Sequence, residues 1–138
     1  MYVRRMNLNL TTTAAETAEK TYRRGEIYFA DFGDTPGASI NKIRPALIIS
    51  NNRGNAHSPT VIVVALSSKY KKMNLPTHIL MESNTGLKRR GIVMTEQVKT
   101  LDKTSLLEKC GQVSEAFLER VNRAVAISMG LDQKYNEL

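Results

Sequence analysis

The sequence has few of the side chains from which metal centres and covalent cross-links are built. Cys110 is the only cysteine in 138 residues, so the chain cannot form an internal disulfide or a multi-cysteine zinc site. Its only histidines, His57 and His78, enlarge this set of good transition-metal ligands very little. Carboxylates are the one other ligand type, and we therefore expect chemistry that needs neither a metal ion nor another cofactor.

Long apolar runs are also missing. The longest, Val61 to Leu66, has six residues, whereas a helix that spans a bilayer needs about 20. The N-terminus lacks the apolar core of a signal peptide. We expect a cytoplasmic protein with no membrane partner.

Acidic residues are outnumbered by basic ones. The 20 Lys and Arg residues against 13 Asp and Glu residues give a net charge of +7 with histidine neutral. This balance favours polyanionic partners and nucleic acid in particular, although an anionic membrane surface or an acidic protein would also suit it. Charge therefore indicates a class of partner, and the reaction must be inferred from motifs.

The chain has the length of one domain with a tail at each end. Residues 1–22 offer little that could anchor a core and are predicted to form a flexible N-terminal tail. Residues 23–133 form the predicted folded domain, and residues 134–138 a short C-terminal tail.

Short β-rich segments make up most of this domain. Runs of β-branched and aromatic residues, separated by turn residues, predict strands at 26–32, 45–50, 60–66, 77–81, 91–95 and 97–100. The turn-rich residues 51–55 are expected to form a loop. One helix is predicted to begin after the N-cap Ser114 and to end at Gly130, with its apolar residues on one stripe. We therefore expect a mainly β fold with minor α, a small barrel-like sheet covered by a C-terminal helix.

Three motifs then occur in an order that is typical of one protein family. They read RRGEIYFAD from Arg23, IRPALIISN from Ile43 and GNAHSPTVIV from Gly54. The pattern continues with LPTH from Leu75 and EQVKTLDK from Glu96. Over about residues 23–131 the chain resembles the MazF/PemK family of toxin endoribonucleases.

This resemblance implies a fold and an activity. The fold would be a small SH3-like barrel with a C-terminal packing helix, assembled as a homodimer. The activity would be that of the toxin of a type II toxin–antitoxin system, neutralised by a cognate antitoxin protein. Such a toxin cleaves single-stranded RNA at specific sequences without a metal ion and leaves 2′,3′-cyclic phosphate and 5′-OH ends. The alternative is a non-cleaving toxin on the same fold that binds RNA, an antitoxin or DNA gyrase.

Arg44 is the first candidate catalytic residue. Because Pro45 disfavours helical backbone at the residue before it, Arg44 is expected on locally stiff chain where a loop enters a strand. Its guanidinium could bind a phosphate through two parallel hydrogen bonds and stabilise the charge that grows as a 2′-OH attacks. A solvated surface arginine is the alternative from the residue alone. The resemblance favours catalysis, because the family's catalytic arginine falls on this Arg-Pro step.

Ser67 is the second candidate catalytic residue. It ends the most apolar predicted strand and matches a position where the family usually has threonine. Serine keeps the donor and acceptor of the hydroxyl and lacks the methyl that restricts the threonine rotamer. An ordinary turn serine is the alternative. Ser39 stands where many family members have an acidic residue, and the general base is therefore left unassigned.

Loop residues with charge, hydrogen-bonding groups or an aromatic ring are the candidates for binding RNA. They are Asn41, Lys42, Ser68, Lys69, Tyr70, Lys71, Lys72 and Gln97. A second basic cluster, residues 88–90, is a further candidate, and each cluster could equally be a solvated surface. A catalytic histidine pair is disfavoured, because His57 lies in a predicted loop and His78 in a predicted strand.

Overall fold

The computed structural model describes residues 20–33, 43–69 and 75–136. Residues 1–19 of the predicted N-terminal tail lie outside this range. So do Ser39 and five of the predicted RNA-binding residues, Asn41, Lys42, Tyr70, Lys71 and Lys72.

Six described strands form one antiparallel sheet. They are β1 (Glu26–Asp31), β2 (Ile43–Ile48), β3 (Thr60–Ser67), β4 (His78–Leu80), β5 (Ile92–Asp102) and β6 (Leu106–Gln112). Their order across the sheet is β4-β5-β3-β2-β1-β6, which places the most apolar strands at its centre. The two helices are α1 (Asn52–His57) and α2 (Glu115–Ser128), and single 3-10 turns lie at Lys103–Ser105 and Gln133–Tyr135.

The two ends of this sheet approach each other. The segment that follows β4 reaches β6, where the backbone N–H of Gln112 donates to the carbonyl oxygen of Thr85 at 2.9 Å. Gly111 permits this approach, since a Cβ there would lie 2.7 Å from the same Thr85 oxygen. The sheet therefore curls into a barrel-like form, and the predicted mainly β fold with a C-terminal helix is confirmed.

Helix α2 covers one face of the sheet. Its buried residues Phe117, Leu118 and Val121 pack in a core cluster that includes Ile27 of β1 and Leu47 of β2. Apolar residues spaced three and four apart share one helix face, so removing this stripe from water stabilises the helix on the sheet.

The predicted start of α2 is confirmed at Ser114. Its hydroxyl oxygen accepts a hydrogen bond of 3.1 Å from the backbone N–H of Phe117, as an N-cap does. The Glu82 carboxylate in turn accepts from the backbone N–H of Ser114 at 2.6 Å and from its hydroxyl at 2.8 Å. The helix start is thereby fixed to the segment that follows β4.

The opposite face of the sheet has its own core, which extends into the predicted tail. Tyr22 is only 9% exposed and packs in this second cluster, with its ring centroid 5.1 Å from that of Tyr28. The packed part of the chain therefore begins at least one residue before the predicted boundary at Arg23. Burial of an aromatic ring outweighs the polar character of the residues that precede it.

Three predicted elements differ from the structure. Strand β2 begins two residues earlier than predicted and therefore includes Arg44. The strands predicted at 91–95 and 97–100 form the single strand β5, whose pairing with β3 shifts register between Val64 and Ala65. The short helix α1 at Asn52–His57 takes in most of the loop expected at 51–55, because the Asn51 side chain caps it by accepting from the Gly54 N–H at 2.8 Å.

Strand β6 is absent from the predictions. Only Leu106 of its seven residues is buried, and the remainder shows no alternation of apolar and polar side chains.

In the described part of the chain, no helix is long and apolar enough to cross a membrane.

Candidate active site

A groove of about 810 Å³ opens where β2 begins and β3 ends. Its walls come from these strand ends, from β1 and β6, and from residues 86–91 ahead of β5. Its volume lies within the range of about 300–1,000 Å³ that is usual for ligand sites. Four neighbouring strands of the sheet and one loop thus meet at a single concave surface.

Both predicted catalytic residues line this groove. In the pairing of β2 with β3, Ala46 lies opposite Ala65. Arg44 lies two residues before Ala46 on β2, and Ser67 lies two residues after Ala65 on β3, so both stand at the same end of this strand pair. The structure therefore brings together a guanidinium-bearing and a hydroxyl-bearing residue that are 23 positions apart in the sequence.

The Arg44 side chain is half-buried and incompletely paired. Its Nε atom is buried and has no hydrogen-bond partner among the described residues. Burial also lowers the pKa of the guanidinium, although arginine remains protonated in proteins. A buried donor without a partner costs about 1–3 kcal/mol. An oxyanion bound in the groove would recover this cost by accepting from Nε.

Ser67 is held at the end of β3 by local contacts. Its hydroxyl oxygen accepts a hydrogen bond of 3.1 Å from the backbone N–H of Lys69. This contact uses an oxygen lone pair and leaves the hydroxyl proton for donation to a ligand. Gly91 packs against the same position, where a Cβ would lie 2.8 Å from the Ser67 carbonyl oxygen. Residue 91 must therefore be a glycine for the strand to end in this way.

The groove is strongly cationic. Arg44, Lys69, Lys88 and Arg89 line it, and Glu108 is the single acidic residue among the described lining residues. A concave surface with an excess of one charge concentrates ligands of the opposite charge. The groove therefore suits a polyanion.

Residues 23–129 match the family described as PemK-like, MazF-like toxins of type II toxin–antitoxin systems. The chain belongs to this family of toxins. Its family was predicted from the motifs, and the match confirms that prediction. The endoribonuclease MazF of Staphylococcus saprophyticus subsp. saprophyticus is 42% identical over 110 residues, which are 79% of this chain and 92% of that relative.

Solved structures of MazF-like toxins have the same fold. An endoribonuclease from a mycobacterial species, solved in complex with its cognate antitoxin, is 31% identical with a TM-score of 0.68. The alignment covers 80% of this chain and 97% of that chain. MazF from Deinococcus radiodurans is 18% identical, with a TM-score of 0.71 and coverage of 81% and 99%, and is similar in fold.

Three other predicted RNA-binding residues of this MazF-like toxin lie within the described part of the chain. Ser68 and Lys69 line the groove directly after Ser67. Gln97 does not line it, and lies on β5 within the register shift opposite Val64 and Ala65. The structure therefore brings two of these three residues to the groove that contains Arg44.

Phe29 and Glu108 are among the groove residues that the sequence analysis did not identify. Phe29 lies opposite Pro45 and is 37% exposed, although it stands among core residues of β1. The alternation of side chains along a strand, with Tyr28 and Ala30 in the core, was the signal that could have placed its ring on the opposite face. Glu108 had no such signal, because it lies on the unpredicted strand β6.

The two histidines of the toxin have separate surroundings. His57 ends α1 and lines a smaller groove of about 580 Å³, near the residues where β3 begins. His78 lies 2.9 Å from the carboxylate of Glu96, measured from Nε2 to Oε2. Burial raises the pKa of Glu96. Its hydrogen bonds, led by that with His78, lower this pKa by more than burial raises it, so the net shift is downward. The structure gives no support to a histidine pair.

Cys110 lines the groove as a protonated thiol. Burial raises its pKa, and the negative charge of Glu108 raises it further. Since the thiolate is the reactive form, this cysteine is not activated as a nucleophile. The described residues also contain no cluster of three or more His, Cys, Asp or Glu side chains that could hold a metal ion.

Proposed function

We propose that this toxin is an endoribonuclease that cleaves single-stranded RNA, and that its active site lies between Arg44 and Ser67. The observation that carries the proposal is the buried, unpartnered Nε of Arg44 in a cationic groove that Ser67 also lines. An unpaired donor of this kind is expected where a phosphate oxygen is the missing acceptor. The endoribonuclease relatives at 42% and 31% identity support the same activity.

The proposed reaction is an internal transfer of the phosphate. The ribose 2′-oxygen attacks the neighbouring phosphorus while the bond from phosphorus to the 5′-oxygen breaks, which leaves a 2′,3′-cyclic phosphate and a 5′-OH. Arg44 donates two hydrogen bonds to the non-bridging oxygens as their negative charge grows. Ser67 donates a third hydrogen bond and fixes the orientation of the phosphate. Because a guanidinium supplies the positive charge, no metal ion is required.

The other cations of the groove would bind the flanking phosphates. Lys69, Lys88 and Arg89 supply this charge, and the exposed ring of Phe29 is an apolar surface on which an unpaired base could stack. Further contacts along the RNA, and selection among bases, fall to the remaining predicted residues Asn41, Lys42, Ser68, Tyr70, Lys71, Lys72 and Gln97.

The proposed partners follow from the family. The mycobacterial relative was solved with its cognate antitoxin, and we expect an antitoxin with an acidic segment to compete with RNA for this cationic surface. We also expect a homodimer that acts in the cytoplasm.

Incubating the purified toxin with a long unstructured RNA in excess EDTA tests the proposal. Sequencing the products should reveal cuts at a defined short sequence, and terminal analysis should find cyclic phosphate and 5′-OH ends. The Arg44→Ala variant is the control for contaminating nucleases. A gel shift without cleavage would instead identify the non-cleaving toxin of the alternative hypothesis.

A further inference from the structure

The proposed reaction needs a group that removes the proton of the 2′-OH, and few described residues of the groove can do so. The four cationic side chains that line it are lysines and arginines, whose charged groups carry hydrogen-bond donors and no acceptor. The Cys110 thiol is protonated as well, because its burial and the charge of Glu108 raise its pKa. No histidine is among the described lining residues. Among the described lining residues, the carboxylate of Glu108 is the one remaining proton acceptor.

We propose that Glu108 is the general base of this toxin and takes the proton from the attacking 2′-OH. The inference rests on the proposed function, since it assigns a role within the same groove. It also fills the role that Ser39 leaves open where many family members carry an acidic residue.

The position of Glu108 supports this role. Strand β1 lies between β2 and β6, and its Ala30 pairs with Arg44 on one side and with Leu106 on the other. Glu108 therefore lies across a single strand from the start of β2, on a strand that also walls the groove. Its side chain is exposed and can reach a ligand bound there.

The neighbouring residue holds this part of β6 in place. The Lys109 ammonium donates to the carboxylate of Glu26 at 3.0 Å and to the side-chain oxygen of Gln112 at 3.2 Å. Glu108 and Cys110, the residues on either side of Lys109, both line the groove.

Three other carboxylates of the described residues already have partners. Glu26 binds Lys109, Glu82 binds Ser114 at the start of α2, and Glu96 pairs with His78. None of the three lines the groove. Among the described residues, none forms a hydrogen bond or ion pair with the Glu108 carboxylate. It is therefore free to bind a substrate hydroxyl.

The proposed step conserves charge and atoms. The Glu108 carboxylate takes the 2′-OH proton as the bond between the 2′-oxygen and phosphorus forms. The bond from phosphorus to the 5′-oxygen breaks, and the leaving oxygen takes a proton from water. Glu108 then returns its proton to solvent and is ready for another cycle.

The test compares single-turnover cleavage by the wild type, Glu108→Gln, Glu108→Asp and Glu119→Gln. Glu119 is an exposed carboxylate on α2 outside the groove and is the matched control. We expect Glu108→Gln to cleave at least about 10²-fold more slowly, the lower end of the usual contribution of acid–base catalysis. RNA affinity should be nearly unchanged, Glu108→Asp should recover part of the rate, and Glu119→Gln should match the wild type.

Two further measurements separate this role from a structural one. Glu108→Gln should change the dependence of the cleavage rate on pH while keeping the wild-type melting temperature. A substrate with sulfur in place of the 5′-oxygen needs no proton on its leaving group. Glu108→Gln should therefore remain slow on it, and recovery of the rate would instead make Glu108 the general acid.

The outcomes also distinguish this inference from the proposed function. Cleavage by Glu108→Gln at the wild-type rate and with the wild-type pH profile would overturn the role of Glu108 and leave the endoribonuclease intact. If neither the wild type nor Glu119→Gln cut RNA, the proposed function itself would fail.

Discussion

Replacing Arg44 by alanine tests the candidate site most directly. In the proposed reaction the guanidinium stabilises the negative charge that develops on the phosphate, and the loss of one comparable oxyanion donor lowers a rate by about 10²–10³, or about 2.7–4 kcal/mol. We expect a fall of this size in the single-turnover rate constant of Arg44→Ala at saturating enzyme. RNA affinity should change much less, because the other cations of the groove remain.

The structure also predicts the effect of Arg44→Ala on folding stability. The Nε atom is buried without a hydrogen-bond partner among the described residues. Removing it relieves a cost of about 1–3 kcal/mol, which offsets the packing lost with the side-chain methylenes. The melting temperature should therefore stay close to that of the wild type, while catalysis falls steeply.

Two companion variants make the Arg44 experiment interpretable. Arg44→Lys keeps the charge and loses the planar fork, so it should remain strongly impaired if orientation of the phosphate matters. Arg89→Ala removes an exposed guanidinium from the same groove and should weaken RNA binding while changing the saturated rate by only a few-fold. If Arg44→Ala cut RNA at the parental rate, the site between Arg44 and Ser67 would be wrong.

Four other predictions follow from the groove. Ser67→Ala should slow cleavage about 10- to 100-fold, the loss of one hydrogen bond to a charged group, whereas Ser67→Thr should stay active; equal rates would remove the hydroxyl from the mechanism. Gly91→Ala should lower the melting temperature, because its Cβ would lie 2.8 Å from the Ser67 carbonyl oxygen, and an unchanged value would contradict that contact. The double variant Lys88→Glu and Arg89→Glu should show a weaker dependence of RNA affinity on salt concentration, since single strands release about 0.7 counterions per neutralised phosphate; an unchanged dependence would mean that these residues are only a solvated surface. Cleavage should persist in excess EDTA, and its loss with rescue by Mg²⁺ would refute metal independence.

The parts of the fold that were predictable are those whose local pattern and tertiary role agree. Strand β3 is an uninterrupted run of β-branched and apolar residues, and it lies at the centre of the sheet with core on both faces. Helix α2 combines an N-cap, an apolar stripe and a glycine at its end. In both elements, the residues that favour the local structure are also those that are buried.

The missed elements are those that tertiary contacts impose on a weak local pattern. The residues of α1 include asparagine and glycine, which favour turns in isolation. The buried Asn55 holds this turn by donating from Nδ2 to the carbonyl oxygen of Ser50 at 2.9 Å. Strand β6 exists because it pairs with β1, and its own residues are too exposed to indicate a strand.

The residues of the candidate site also differ in how far the sequence indicates them. Arg44 and Ser67 were predictable because each lies within or directly beside a motif, and their local positions at the ends of β2 and β3 follow from the neighbouring residues. Their juxtaposition depends on the register of β2 with β3, which no short stretch of sequence encodes by itself. Glu108 is further removed, since it reaches the groove only because β6 pairs with β1, which in turn pairs with β2. The proposed proton acceptor therefore depends on the pairing of a strand whose own exposed residues give little signal in the sequence.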